Sequence, residues 1–386
     1  MKIPNLEIET ESTLDSLPPF YTTSRSQTRP AISDVPSRIS HAIKQLPLMR
    51  LDDGASIAIG DGQRQKLADL GITEESVGCA IDAHIKTQCI GDTLNGHPVH
   101  FATAALDADG VIVLNRIKPH TNFSGTVESG LSKMIAVGLG KQRGAEAFHT
   151  AALQQGYVTT IRQFIDVIQA EPELELLGGI GVVENRQHEL AVIESIPGRT
   201  LPEAEESLLE IAYDELPTLP VSDLDLLVIN EIGKDISGTG MDTNVIGRYG
   251  VVSADDPSKP NIDRIVVLGL TEETQGNAHG IGLADLTTTA VLQSADLQKM
   301  YTNALATSSL TRSKLPIGLP SREDALVAGV QSTGVSDVSA IRMAVIEHTN
   351  SVSPCLISAD IKSDLSQDPQ WSVSDTSSLS NNEKIT

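Results

Sequence analysis

The sequence predicts an α/β protein made of two α/β domains with the active site in the cleft between them. Three observations predict it. Short runs of Val, Ile and Leu, such as VIVL at 111–114 and DLLVINEI at 225–232, have the composition of strands in a buried parallel sheet. They alternate with longer stretches of helical periodicity, and that alternation builds layered α/β folds. Pro217 and Pro220 punctuate the chain between two such sets, and 386 residues are enough for two separate cores. The expected division is 1–215 for the first domain, 216–345 for the second, and 346–386 for a C-terminal segment that is partly loose.

In chain order, residues 1–40 are rich in Ser, Thr and Pro and read as an extended arm entering a domain. A helix is expected over 38–46 and a strand, ASIAIG, over 55–60. The strand at 111–114 is expected to end at Leu114, followed by a glycine-rich loop and one long helix over 145–170. Strands follow at 176–183 and 190–196, then a helix at 202–212. The second region has strands at 225–232 and 264–270 and helices across 284–307. An element after residue 340 is expected to pack back on the first domain.

Composition narrows the function classes. Hydrophobic residues make up 40% and charged residues 20%, which is the balance of an ordinary globular chain, while aromatics are only 3%, so Ala, Val, Ile and Leu must fill the cores. The net charge of −23 repels phosphate backbones and anionic lipid, which argues against nucleic-acid and membrane-surface partners. An anionic small substrate is not excluded, because a local cationic site overrides the global field. The acidic excess fits either adaptation to salt or plain acidity. Cys79, Cys89 and Cys355 form no CxxC pair, as expected in a reducing interior. No secretory leader pattern and no bilayer-length apolar run is visible, so a cytoplasmic location is expected.

The densest segment runs from Asp109 to His149. Asn115, Arg116, Lys118 and His120 follow the strand at 111–114, at the end of an α/β strand where ligands bind. Arg116 and Lys118 suit a carboxylate, and a histidine there suits proton transfer near neutral pH. GLGKQRG at 138–144 opens a helix whose backbone N–H groups can cradle a phosphate. Its spacing is not that of the dinucleotide fingerprint, and no acidic ribose partner follows. Lys133 and His149 taken singly read as a surface charge and a helix-face histidine.

Together the run RIKPHTNF, ESGLSKM, GLGK and GAEAFH resembles the lactate racemase family, whose members carry a tethered nickel-pincer nucleotide. INEIGKDISGTGMDTNVIGR at 229–248 and LTEETQGNAHGIGLAD at 270–285 read as motifs of its uncharacterised lactate racemase-like branch. The resemblance implies that His120 is an acid/base, that Lys133 tethers the cofactor, and that His149, sixteen residues on, ligates nickel. It implies that Lys234 lies near substrate or cofactor. It further implies an isomerase that racemises or epimerises a 2-hydroxyacid by transient hydride transfer, with cofactor-synthesis enzymes as partners. Nickel accepts such mixed N and S donors.

The sequence also departs from that pattern. The branch carries a Gly-Ser-His-Gly segment with a second acid/base histidine, and here IAIG runs directly into DGQRQK after Gly60. His41, His84, His97 and His100 sit in no matching motif, and His97 and His100 lie three apart in an extended or turn segment. The alternative is therefore a degenerate member that binds cofactor or ligand without turnover. Asp34 and Arg38 resemble the family's substrate element with a spacing that differs by one. Asp242, Asn244 and Arg248 suit either substrate or phosphate contacts, or turn formation in their glycine-rich loop. A third reading is a nicotinamide-dependent oxidoreductase that reuses the GLGKQRG turn.

Overall fold

The computed structural model describes residues 13–375, apart from 15, 26–27, 36, 40, 42–55, 59–67, 69–70, 78–79, 83–84, 253 and 367. The fold is α/β. The chain divides into two units, one of Thr28–Leu216 and one of Met1–Gln27 with Pro217–Thr386. Strand β1 (Phe20–Arg25) belongs to the latter.

In the unit 28–216, β2 (Ser56–Ala58) pairs in parallel with β3 (Ala80–Asp82), and β4 (Thr87–Asp92) forms an antiparallel hairpin with β5 (Pro98–Ala102). A second sheet has the order β6 (Val111–Arg116), β7 (Leu176–Glu184), β8 (Leu190–Pro197), parallel between the first two and antiparallel between the last two. Leu131–Lys133 forms a short helical turn that runs into a π-helical stretch, Met134–Gly138. Helices α1 (Lys141–Gln155), α2 (Tyr157–Gln169) and α3 (Glu203–Asp214) complete the unit. In α2 the buried Ile161, Phe164, Ile165 and Ile168 recur at helical spacing and form one apolar face.

Two glycines of β7 bring the site segments onto the sheet. A Cβ on Gly179 would overlap the Leu131 side chain, and one on Gly181 would overlap Ile117 and Leu208. Leu131 lies two residues before Lys133, and Ile117 precedes Lys118. Bare backbone on β7 therefore lets both segments pack directly on the sheet.

The other unit is an eight-stranded sheet in the order β12-β11-β10-β9-β13-β14-β1-β15. Strands β9 (Asp223–Ile229), β10 (Asn261–Val267), β11 (Leu286–Thr288), β12 (Ile317–Leu319) and β13 (Met343–Ile346) run parallel. Strands β14 (Cys355–Ser358) and β15 (Trp371–Asp375) join antiparallel through β1. Its helices are α4 (Thr289–Ser294), α5 (Leu297–Ala306), α6 (Arg322–Ser332) and α7 (Ala359–Leu365). Leu224, Leu227 and Ile229 of β9 pack into one core and Leu226 and Val228 into another, so the strand is buried on both faces and reads as a continuous apolar run.

Several expectations are corrected. The strand at 111–114 continues to Arg116 and lies at a sheet edge, where Leu114 is 56% exposed, because β6 has a neighbour on one side only among the described residues. The helix expected over 145–170 starts at Lys141 and breaks at Gly156, whose φ of 85° lies outside helical space. His149 is consequently in the third turn of α1. The span 284–307 opens with β11 and not with a helix, since Thr287 and Thr288 are β-branched and Leu286–Thr288 is buried throughout. Residues 1–40 include a core strand, β1. The segment after residue 340 completes the sheet of the unit that holds β9, and within the stretch expected to be partly loose Cys355–Ser358, Ala359–Leu365 and Trp371–Asp375 are regular. The strand expected over 55–60 is present as β2, Ser56–Ala58. The helix expected over 38–46 falls largely outside the described residues, as do the junction at Gly60, Cys79 and His84.

Candidate active site

The unit 28–216 gathers its basic and acidic side chains on the segment that follows β6. The Lys118 amide donates to Ser129 O, closing the ends of the loop 118–129 on each other. Inside it Glu128 is 1% exposed and accepts from three donors: His120 N at 2.5 Å, Gly125 N at 2.8 Å and the Tyr213 hydroxyl at 2.6 Å. Burial pushes its carboxyl above the usual carboxylate range, while these donors and the Lys133 charge pull the other way. The Asn122 amide donates to His120 Nδ1 at 3.0 Å, which puts the proton of the neutral imidazole on Nε2.

The structure brings Lys133, His149 and His120 into one neighbourhood. Burial, reinforced by the charge of Lys118, lowers the Lys133 ammonium to about 8, and Glu128 offsets part of that. The amine is thus poised as a nucleophile. Partial burial and then the Lys133 charge hold His149 below the ordinary histidine range, which favours the neutral imidazole a metal needs. The Tyr157 ring lies 6.3 Å from both imidazoles, stacked against His120 and edge-on to His149. Phe123 stacks on Tyr157 at 4.5 Å and sits 4.6 Å from His120, so the wall is aromatic in a chain poor in aromatics.

Other predicted residues are placed differently. Arg116 lies within β6 and forms an ion pair with Glu184 at 2.5 Å, so its fork is already engaged. Asp34 and Arg38 are exposed; Asp34 Oδ1 accepts from Ser37 N at the start of a helical turn. Asp242 caps the turn Thr243–Ile246 by accepting from Asn244 N, and Asn244 accepts from the Tyr249 hydroxyl at 3.1 Å. Arg248 binds Asp285 and the carbonyls of Leu283 and Ile262. His100 leaves Nδ1 buried without a partner, on the hairpin strand beside Gly140 and Gly144. Among the described residues, no cluster of three His, Cys, Asp or Glu side chains could hold a metal ion by itself.

Lys234 lies in the second unit, in the loop after β9. The strand order places β10, β11 and β12 on one side of β9 and β13 on the other, so this loop leaves the sheet at a topological switch point. Its Nζ donates to Gly238 O and to Asn303 Oδ1. Burial, then the charge of Arg312, lowers its pKa. His279 is 2% exposed, with Nδ1 2.9 Å from Ser313 Oγ and Nε2 3.4 Å from Ser309 Oγ; burial, then Lys234 and Arg312, lower it to about 4. Arg312 is 1% exposed and donates to Tyr249 O at 2.8 Å.

Sequence reasoning missed Glu128, Tyr157, Tyr213, His279 and Arg312. Glu128 had a legible signal, an acid inside the glycine-rich run GTVESGLSK, where a buried carboxylate has backbone amides to bind. The others gain their place only through long-range packing.

No family model matches this chain, and no curated protein matches it in sequence. Among solved structures it is similar to the lactate racemase apoprotein from Thermoanaerobacterium thermosaccharolyticum, at 14% identity and a TM-score of 0.39, over 76% of this chain and 66% of that one. The chain thus spans just under two thirds of that structure's length, and a likeness this loose carries no argument about activity. No helix among the described residues is long and apolar enough to cross a membrane.

Proposed function

We propose that this chain is a racemase or epimerase of a 2-hydroxyacid that works with a nickel-pincer nucleotide tethered at Lys133 and ligated by His149. The supporting observation is the grouping of Lys133, His149 and His120 around the Tyr157 ring. The donor set fits such a group: a lysine whose amine is lowered to about 8 for acylation, a neutral imidazole for nickel, and an aromatic wall for a planar ring. When bound, the cofactor supplies reversible hydride transfer at the substrate carbon. His120 exchanges the hydroxyl proton through Nε2 in its Nδ1–H tautomer, which requires the Asn122 amide to release Nδ1; while that contact holds, Nε2–H donates to the substrate oxygen. Lys118, exposed at the loop entrance, offers charge to the substrate carboxylate, and Arg116 offers less because Glu184 holds it.

Co-expression with cofactor-synthesis enzymes, followed by metal analysis and intact-mass mapping, tests the reading. Bound nickel with added mass on the Lys133 peptide is expected, together with racemisation of single-enantiomer 2-hydroxyacids. Neither nickel nor added mass would sink it. The direct run from Gly60 into Asp61, without a second histidine motif, favours a second reading of cofactor binding without turnover. Loaded protein that leaves every offered enantiomer unchanged would select that one.

A further inference from the structure

Two buried carboxylates outside the reacting groups hold the site, and both depend on α3. Glu205, on the first turn of α3, is 2% exposed and accepts from Ser132 N at 2.9 Å and from the Ser132 hydroxyl. The Leu131 amide also donates to it. It therefore ties down the start of the turn Leu131–Lys133. A Cβ on Gly130 would overlap its carboxylate, so glycine there is a condition of the contact. Glu128 ties down the other segment through His120 N and Gly125 N, and it is held in turn by the hydroxyl of Tyr213, near the last turn of α3. Positions 205 and 213 are eight apart, about two helical turns, so they share a face separated by about 12 Å. Between them Leu208, Leu209 and Ala212 are buried, which seats the helix.

We propose that α3 is the rigid reference of the site, with Glu205 positioning Lys133 and the Glu128–Tyr213 pair positioning His120. Both are positioning residues, since neither reaches a reacting atom. A buried carboxylate that accepts several N–H donors is a strong and directional anchor. Replacing it by the isosteric amide turns at least one acceptor into a donor, so one N–H loses its partner while the shape is kept. The inference rests on the proposed roles of His120 and Lys133, but its test does not need an active enzyme.

The test is hydrogen exchange resolved by amide on the full chain, with competitive acetylation of lysines by acetic anhydride read by mass spectrometry. Glu128→Gln is expected to speed exchange at His120 or Gly125 about tenfold or more while Ser132 stays as in the wild type. Glu205→Gln is expected to do the reverse, exposing Ser132 and changing the acetylation rate of Lys133 relative to surface lysines. Tyr213→Phe, which removes one hydroxyl and no buried volume, should give a weaker version of the Glu128→Gln pattern and guards against a variant that fails to fold. In loaded protein that racemises, Glu128→Gln should lower kcat with KM little changed. Unchanged local exchange in both variants, or a uniform loosening of the whole unit, would overturn the assignment. A wild type that never racemises but shows these local patterns would overturn only the proposed activity.

Discussion

The two units each hold a partly buried lysine in the chain that follows a parallel strand, and they surround it with different chemistry. Lys133 has a carboxylate, Glu128, within electrostatic reach, two imidazoles nearby and an amine lowered to about 8. Lys234 donates to a carbonyl and a side-chain amide, has Arg312 near it, and lies near a histidine held between two serine hydroxyls. In the first arrangement the amine is lowered beside a carboxylate, and in the second hydrogen bonds occupy both the lysine and the histidine. Lysine burial alone does not mark a reacting group; the neighbours decide.

Substitution at the two lysines should break the comparison most sharply. Lys133→Met is expected to abolish added mass on its peptide and all racemisation, whereas Lys234→Met should leave the covalent mass in place; peptide mass mapping separates them. Equal loss of mass in both would remove the distinction. Next in size, His120→Ala should lower the racemisation rate by about 10²–10⁴ while nickel content is unchanged. A rate within a few-fold of wild type would assign the proton transfer elsewhere.

Both units carry a histidine held below its ordinary range, and the larger acid response is expected in the second, at His279. The folded pKa of His279, about 4, lies below its unfolded value near 6.5. Between these values the unfolded chain binds the proton and the folded chain does not, so stability is full above about pH 6.5 and falls as pH drops towards 4. The loss is on the order of 3 kcal/mol. Denaturant titration from pH 7 to 4 measures it, and His279→Gln should flatten the profile. The smallest expected effect is Gly156→Ala, which strains the break between α1 and α2 and should cost about 1 kcal/mol or more, read as a lower Tm.

Much of the fold was legible because the physics behind it is local. The apolar runs at 111–114, 176–183 and 190–196 are strands, and the punctuation at Pro217 coincides with the division after Leu216. The stretch 116–133 stood out as a candidate site because charged residues and glycines follow a strand. Local signals could not reveal that β6 is an edge, since its neighbours are remote in sequence. Nor could they reveal that Phe20–Arg25 pairs with strands more than three hundred residues away.

The sequence by itself determined the α/β class and the placement of Lys133 and His149 sixteen residues apart on one largely helical stretch. These follow from periodicity and backbone chemistry, which act over a few residues. Only the tertiary structure decided that Tyr157 stands beside both imidazoles, that Arg116 is held by Glu184, and that Glu128 and Glu205 anchor their segments to α3. The reason is that buried polar groups must find partners wherever packing brings them, and packing sums many weak contacts between segments that no short pattern relates.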